Sequence, residues 1–197
     1  IVNLKVSHRE EPLSLQIWVP EINRKKDLII FMPGLGGDIN NFRWLASGLS
    51  KKGWPVIFIN HKGSDSGALN SSIKGDEPLP GGADIYLYRL KDLDSVVDAY
   101  KNDYFGFKNN NSYILMGHSL GSLIAMLYEG NLPKYDFSSR CEKGLDDFGL
   151  TNLSKLLQCQ LLEIPIPEFE KSKELKAIVG FNSFGSLIWS NKKNSGI

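Results

Sequence analysis

The amino-acid sequence predicts an α/β protein, in which helices cover both faces of a mostly parallel sheet. Three observations predict this class. Strand-like and helix-like segments alternate along the chain after a β-rich opening. The strand-like segments are continuous apolar runs such as L-I-I-F-M (28–32), which is typical of strands buried on both faces. Between them, apolar residues recur at helical spacing, as expected for helices that pack on a sheet.

The strands are justified by their apolar patterns. Residues 14–19 (S-L-Q-I-W-V) alternate and should pair with residues 1–6 as an antiparallel hairpin at the sheet edge. The remaining predicted strands are short apolar runs suited to a parallel sheet: 28–32, 56–59, 113–116 and 177–181.

The helices are justified by periodicity and by the residues that end them. Phe42, Leu45 and Leu49 recur at helical spacing before Gly53, and a second helix covers about 85–100. A third follows at 123–128, and a short helical patch covers 153–161. Residues 62–82 are rich in Gly, Ser, Asp and Pro and predict a long loop. Residues 130–170 otherwise lack a clear period, which indicates an insertion.

Size and charge exclude several classes of function. A chain of 197 residues suits a single domain, and its 23 Lys and Arg nearly balance 22 Asp and Glu. Such a balance offers no electrostatic footprint for nucleic acid. The apolar runs are far shorter than the roughly 18 residues of a transmembrane segment. The sequence implies no cofactor and no metal, and it leaves the cellular compartment and the oligomeric state open.

The motif with the clearest chemistry is G-H-S-L-G (117–121). It follows the strand-like Y-I-L-M (113–116) and precedes a helical segment, which is how a serine nucleophile is presented on a sharp turn. Glycines flank the serine where a strained turn leaves no room for a Cβ atom. This context predicts that Ser119 is a catalytic nucleophile, and a purely structural serine turn is the alternative.

Attack by a serine on an acyl carbon places negative charge on the acyl oxygen, which backbone N–H groups must stabilise. The residue after the nucleophile, Leu120, supplies one such N–H group. The glycine-rich loop P-G-L-G-G (33–37), directly after strand 28–32, is the candidate for the second. Phosphate binding by this loop is disfavoured, because Ile39 stands where a dinucleotide motif needs glycine and no Gly-Lys-Ser/Thr follows.

The chain resembles the α/β-hydrolases, and more narrowly bacterial predicted dienelactone hydrolases related to platelet-activating-factor acetylhydrolases. The similarity lies in five segments in the family's order: M-P-G-L-G-G (32–37), F-R-W-L-A-S-G-L (42–49), N-H-K-G-S (60–64), G-H-S-L-G (117–121) and N-L-S-K-L-L-Q-C (152–159). The resemblance implies Ser119 as nucleophile, with the Leu35 and Leu120 N–H groups forming the oxyanion hole.

The sequence departs from this family at three positions. Pro33 stands where the family often has histidine, and Ser122 stands where it has a third glycine. Asn182 follows the strand at 177–181, where the acetylhydrolase branch carries the acid of its triad. The acid is therefore expected elsewhere in the protein.

A serine nucleophile needs a base, and all three histidines of the sequence precede Ser119. His118 should point away from the serine hydroxyl, His61 could line the site and is the reserve candidate, and His8 lies in the opening hairpin. In this fold the acid and the histidine follow the nucleophile on later loops. We therefore expect an incomplete domain at 1–197, truncated at its C-terminal side, with the last strands, the acid and the base beyond residue 197.

The function expected from the sequence is hydrolysis of a small-molecule carboxylic ester through an acyl-enzyme on Ser119. A non-catalytic binding protein of the same fold and an acyltransferase are the alternatives. The insertion at 130–170 suits a lid over an apolar acyl group, or it packs its apolar residues onto the sheet: Leu153, Leu156, Leu157, Leu161, Leu162 and Ile164. The simplest interpretation of Cys141 and Cys159 is two independent reduced thiols, and a disulfide within the insertion is the alternative.

Overall fold

The computed structural model contains one mixed six-stranded sheet. It describes residues 1–21, 27–76, 82–106, 112–133, 136–146, 153–167, 169, 172–183, 185 and 187–188. The strands, in chain order, are β1 (Val2–Leu4), β2 (Leu13–Trp18), β3 (Leu28–Met32), β4 (Val56–Asn60), β5 (Tyr113–His118) and β6 (Leu175–Phe181). Their order across the sheet is β1-β2-β4-β3-β5-β6.

Six α-helices are described, followed by one 3₁₀ turn at Gln160–Glu163. They are α1 (Ile39–Lys51), α2 (Ser66–Lys74), α3 (Asp84–Lys101), α4 (Leu120–Tyr128), α5 (Phe137–Asp146) and α6 (Leu153–Cys159).

The sheet confirms the predicted fold class. β3 is buried at every position and pairs in parallel with both β4 and β5, and β6 pairs in parallel with β5. The predicted N-terminal hairpin is present, because β1 pairs with β2 antiparallel. β2 is also antiparallel to β4, so it joins the hairpin to the parallel part. Since β3 and β5 run side by side in parallel, their carboxyl ends meet at one edge, where ligands bind in such sheets.

Two helices correct the sequence analysis. The predicted loop at 62–82 contains α2, which begins after Asp65 and ends at Gly75. The Asp65 carboxylate accepts a hydrogen bond from the Ala68 N–H group, and Gly75 adopts a left-handed conformation with φ of 81°. The Asp and Gly residues that indicated a loop are therefore the caps of a helix. The other addition is α5, within the segment that showed no clear period.

The interpretation of the two cysteines as independent thiols is wrong. Cys141 on α5 and Cys159 at the end of α6 form a disulfide, with their Cα atoms 5.6 Å apart. The helical patch at 153–161 gave no partner for Cys159, because the helix that carries Cys141 was not predicted. The bond ties α5 to α6.

The apolar residues of the predicted insertion divide between the interior and the surface. Leu157 and Leu161 are buried, Ile164 packs on the central core, and Leu162 is exposed. The Tyr86 hydroxyl on α3 donates a hydrogen bond to the Leu157 carbonyl and so connects α6 to α3. The side chains of Leu153 and Leu156 lie outside the described part of the chain. No described helix is long and apolar enough to span a membrane.

Candidate active site

Ser119 lies on the sharp turn between β5 and α4, at the carboxyl edge of the sheet. Its backbone has φ of 53° and ψ of −117°, a conformation that residues other than glycine rarely adopt. A backbone held in such a region is strained by about 1–3 kcal/mol, and this strain is typical of functional sites. The predicted strand–turn–helix arrangement of the G-H-S-L-G motif is thus present, with the serine at its apex.

The two glycines of the motif are required by close backbone contacts. A Cβ atom on Gly117 would lie 2.4 Å from the Gly121 carbonyl carbon, because the start of α4 folds back over the end of β5. A Cβ atom on Gly121 would lie 2.1 Å from the carbonyl oxygen of Met32 at the end of β3. Both distances are impossible for real atoms. The glycines therefore bring α4 tightly against the two neighbouring strands.

The turn is also anchored by hydrogen bonds. The Ser119 N–H group donates to the Phe181 carbonyl at the end of β6, at 2.8 Å. Ser122 is fully buried, and its hydroxyl donates to the Gly117 carbonyl at 2.7 Å. The serine at 122 thus satisfies a carbonyl of the turn. Asn182 follows β6 directly, is exposed and has φ of 46°.

The glycine-rich loop 33–37 lies against Ser119. A Cβ atom on Gly34 would be 3.0 Å from the Ser119 Cβ atom and 3.1 Å from Nδ1 of His118. Within this loop, the Gly36 N–H group donates to the Ser64 carbonyl at 2.9 Å and the Gly37 N–H group donates to the Gly34 carbonyl at 3.2 Å. The Leu35 N–H group, in contrast, has no acceptor among the described residues.

The Leu120 N–H group also has no acceptor among the described residues. It is the first residue of α4, where helix geometry provides no intrahelical acceptor, and no other described group accepts from it. The helix dipole adds positive potential at this end. Among the described residues, the N–H groups of Leu35, in the loop that lies against Ser119, and of Leu120, the next residue after it, thus have no acceptor.

The three histidines make contacts other than with the serine hydroxyl. The ring of His118 packs against Phe42, with ring centroids 5.4 Å apart. His61 is fully buried, so it does not line an open site. Among the described residues, neither these rings nor the ring of His8 forms a hydrogen bond with Ser119.

His8 and His61 instead meet at Asp92 on α3. The Asp92 carboxylate accepts from His61 Nδ1 at 2.8 Å, from Arg9 Nε and Nη2 at 2.6 and 2.7 Å, and pairs with His8 Nε2 at 2.8 Å. Burial alone would raise the pKa of this carboxyl, but the hydrogen bonds from His61 and Arg9 hold it below its usual value. Burial and the nearby Arg89 cation lower the pKa of His61 to about 4. His61 is therefore neutral at pH 7.

Arg89, one turn before Asp92 on α3, was missed by the sequence analysis. Its side chain is fully buried and donates to the carbonyls of Pro33 and Gly34 in the glycine-rich loop. A signal was present in the sequence. Arg89 lies four residues after Ile85 and four before Leu93, so a charged residue occupies the apolar face of a predicted helix. Such a residue is rarely buried unless it is paired.

The described residues contain no group of three or more His, Cys, Asp or Glu that could hold a metal ion. At the serine turn, the groups available for chemistry include the Ser119 hydroxyl and the N–H groups of Leu35 and Leu120.

A comparison with family models agrees with this geometry. Residues 27–135 match the α/β-hydrolase fold family. This match covers more than half of the chain and includes the glycine-rich loop, α3 and the serine turn. The chain therefore belongs to the α/β-hydrolase fold family.

Solved structures with a similar fold include three hydrolase structures. An esterase from Thermogutta terrifontis is 15% identical, with 87% of this chain and 49% of that chain covered and a TM-score of 0.48. A carboxyl esterase from Bacillus coagulans is 17% identical, with 79% of this chain and 54% of that chain covered and a TM-score of 0.47. A serine hydrolase homologue from Coxiella burnetii is 20% identical, with 60% of this chain and 53% of that chain covered and a TM-score of 0.41. The chain spans about half the length of these proteins. No curated protein matches it.

Proposed function

We propose that this protein is a serine hydrolase that cleaves a carboxylic ester through an acyl-enzyme on Ser119. One observation carries the proposal: a strained serine lies against the glycine-rich loop, and the N–H groups of Leu35 in that loop and of Leu120 have no acceptor among the described residues. Unsatisfied donors beside a nucleophile are what an oxyanion requires. A serine with a purely structural role would have no need of them.

In the proposed reaction, the Ser119 hydroxyl oxygen attacks the ester carbonyl carbon while a base takes its proton. The carbonyl oxygen becomes an oxyanion, and the Leu35 and Leu120 N–H groups donate to it. Collapse of this intermediate breaks the carbon–oxygen bond of the ester, and the alcohol leaves with the proton. Water then repeats the attack on the acyl-enzyme and releases the acid.

We propose that the base and its acid partner come from outside residues 1–197. His118 packs on Phe42, His61 is buried against Asp92, and His8 is held by the same carboxylate. In this fold, the acid and the histidine follow the nucleophile in the chain. Since β6 brings Phe181 to the turn, a loop after a later strand could reach the serine from the same edge of the sheet.

The proposed substrate is a small ester with an apolar acyl or alcohol group. The insertion of α5, α6 and the 3₁₀ turn would act as a lid, with exposed Leu162 as one available contact. Within the family, the loop M-P-G-L-G-G and the motif N-H-K-G-S favour the group of dienelactone hydrolases and acetylhydrolases. This grouping is part of the proposal.

The test compares the full-length protein with its Ser119→Ala and Ser47→Ala variants. Ser47 is a half-buried serine on α1 with no assigned role, so it is the matched control. We expect Ser119→Ala to lower kcat for p-nitrophenyl esters by about 10⁴–10⁶ and to abolish labelling by a fluorophosphonate. Ser47→Ala should behave as wild type.

Other outcomes identify the rival functions. Turnover by Ser119→Ala at the wild-type rate would exclude Ser119 as nucleophile. A wild-type protein that binds esters without turnover or labelling would be a binding protein. An added alcohol that captures the acyl group in preference to water would identify an acyltransferase.

A further inference from the structure

The guanidinium of Arg89 binds the glycine-rich loop. Nη1 donates to the Pro33 carbonyl at 2.5 Å, and Nη2 donates to the Gly34 carbonyl at 3.0 Å. The remaining contacts are with Ser64: Nε donates to its hydroxyl at 2.9 Å, and Nη2 donates to its carbonyl at 3.2 Å. Since the planar guanidinium binds two consecutive carbonyls of the loop, it fixes two consecutive peptide planes.

The bond to Gly34 has a direct consequence for the proposed oxyanion donor. The Gly34 carbonyl and the Leu35 N–H group belong to the same peptide unit, and the chain has no cis peptide bond among its described residues. In a trans peptide the C=O and N–H bonds point in opposite directions. Holding the Gly34 carbonyl towards Arg89 therefore points the Leu35 N–H group away from Arg89.

The same bond strengthens the donor as well as orienting it. A cationic donor on a carbonyl polarises the whole amide, so the N–H group at its other end becomes a better donor. Among the described residues, no carboxylate lies within ion-pair distance of Arg89. Burial lowers the pKa of Arg89 to about 9, so the side chain is charged at pH 7. Within the described part of the chain, its hydrogen bonds are thus to carbonyl groups and a hydroxyl, and none is to a carboxylate.

We propose that Arg89 is a positioning residue for ester hydrolysis, which orients and polarises the peptide between Gly34 and Leu35 so that the Leu35 N–H group stabilises the oxyanion. Ser64 is its support, because the Ser64 hydroxyl accepts from Nε and the Ser64 carbonyl accepts from both Arg89 and Gly36. This proposal rests on the function proposed above. The rival is that Arg89 only joins α3 to the sheet.

Arg9 provides a matched control for the structural rival. It is a second, largely buried arginine, and it binds Asp92 and the Lys62 carbonyl. No hydrogen bond connects Arg9 to the loop 33–37 within the described part of the chain. Arg9→Met therefore removes a guanidinium from the same region without touching the proposed oxyanion donor.

The experiment measures KM, and kcat per active site, in the full-length protein. The variants compared with wild type are Arg89→Met, Arg89→Lys, Ser64→Ala and Arg9→Met. Active sites are counted by the end point of fluorophosphonate labelling, so unfolded protein does not contribute. The affinity for a trifluoromethyl ketone is measured in parallel, because its adduct with serine places an oxyanion at the same position. Urea unfolding gives the stability of each variant.

We expect Arg89→Met to lower kcat about 10–100-fold with little change in KM, because one oxyanion donor is weakened but not removed. Inhibitor affinity should fall by the same factor. Arg89→Lys retains the charge without the planar guanidinium, so kcat should fall about tenfold. In Ser64→Ala, kcat should fall a few-fold. Arg9→Met should lose stability while its kcat per site stays near wild type.

If Arg89→Met does not fold, Arg89→Lys and Ser64→Ala decide the question by the same two readouts. Wild-type kcat and inhibitor affinity in the folded Arg89 variants, with only stability reduced, would overturn the proposal and leave Arg89 a structural residue. An active Ser119→Ala would instead show that the proposed function itself is wrong, which is a different result from the first.

Discussion

The serine turn and the Asp92 cluster, which consists of Asp92, His61, His8 and Arg9, both contain hydrogen-bond donors but use them in opposite ways. At the turn, the Leu35 and Leu120 N–H groups have no acceptor among the described residues, and Ser119 is strained. At the cluster, Asp92 accepts from His61, His8 and Arg9 with its side chain wholly buried. The His61–Asp92 pair has the 2.8 Å distance of a catalytic acid–base pair, yet it is sealed inside the protein.

The difference shows what distinguishes the proposed reactive site from a structural one. A buried charge must be paired, and the Asp92 cluster meets that requirement with donors of its own. A catalytic site must keep donors for charge that develops only during the reaction. Arg89 connects the two regions, because it lies on the helix of Asp92 and binds the loop of Leu35. The cluster can therefore support the turn without taking part in the chemistry.

The largest stability effect is expected at the cluster. Asp92→Asn leaves three donors around a neutral amide in a buried position, and we expect it to lower the free energy of unfolding by about 3–5 kcal/mol. Asp94→Asn on the same helix is the matched control. Asp94 accepts from the Tyr128 hydroxyl at 2.9 Å, which an amide oxygen can also do, so the loss should be about 1 kcal/mol or less.

Urea unfolding of both variants measures these values. Equal losses for Asp92→Asn and Asp94→Asn would show that the cluster is no more important than an ordinary buried hydrogen bond. The comparison between the two regions would then lose its basis.

The pH dependence of stability should also report the cluster. The pKa of His61 is about 4 in the folded protein and about 6.5 in the unfolded chain, so only the unfolded chain binds a proton between these values. The contribution of His61 to the free energy of unfolding is therefore fully present above pH 6.5 and is lost as the pH falls towards 4. The full loss is about 3 kcal/mol, at 1.4 kcal/mol per pH unit.

Urea unfolding at pH 7, 6, 5 and 4 tests this slope. His61→Gln removes the titrating group, so its stability should change much less across the same window, whatever its value at pH 7. Parallel curves for wild type and His61→Gln would mean that the buried imidazole is not neutral in the folded protein.

The sequence predicted the turn because its requirements are local. The spacing of Gly117 and Gly121 around Ser119 reflects contacts within one strand–turn–helix unit and with the end of β3. The strand pattern predicted the sheet for the same reason, since apolar runs such as 28–32 correspond directly to buried strands. These features could be read from short stretches of sequence.

The cluster was not predicted because it depends on distant contacts. His8 and Asp92 are 84 positions apart, and Arg89 and Pro33 are 56 apart. Helix α2 and the disulfide were missed for related reasons. Asp65 and Gly75 indicate a loop unless they are recognised as caps, and Cys141 can be paired with Cys159 only once α5 is known.

The smallest expected effect is the strain at the turn itself, and it has the opposite sign to the effects at the cluster. Ser119→Gly places a residue without Cβ at φ of 53° and ψ of −117° and relieves about 1–3 kcal/mol of strain. Glycine loses more backbone entropy on folding, about 0.5–1 kcal/mol, so the net gain should be about 1 kcal/mol.

Ser119→Ala keeps the Cβ atom and is the control, because it removes the hydroxyl without relieving the backbone. Both variants should be inactive, and urea unfolding should find Ser119→Gly the more stable of the two. If Ser119→Gly were instead less stable than Ser119→Ala, the turn would not be strained, and the contrast with the relaxed, fully paired cluster would rest on hydrogen bonding alone.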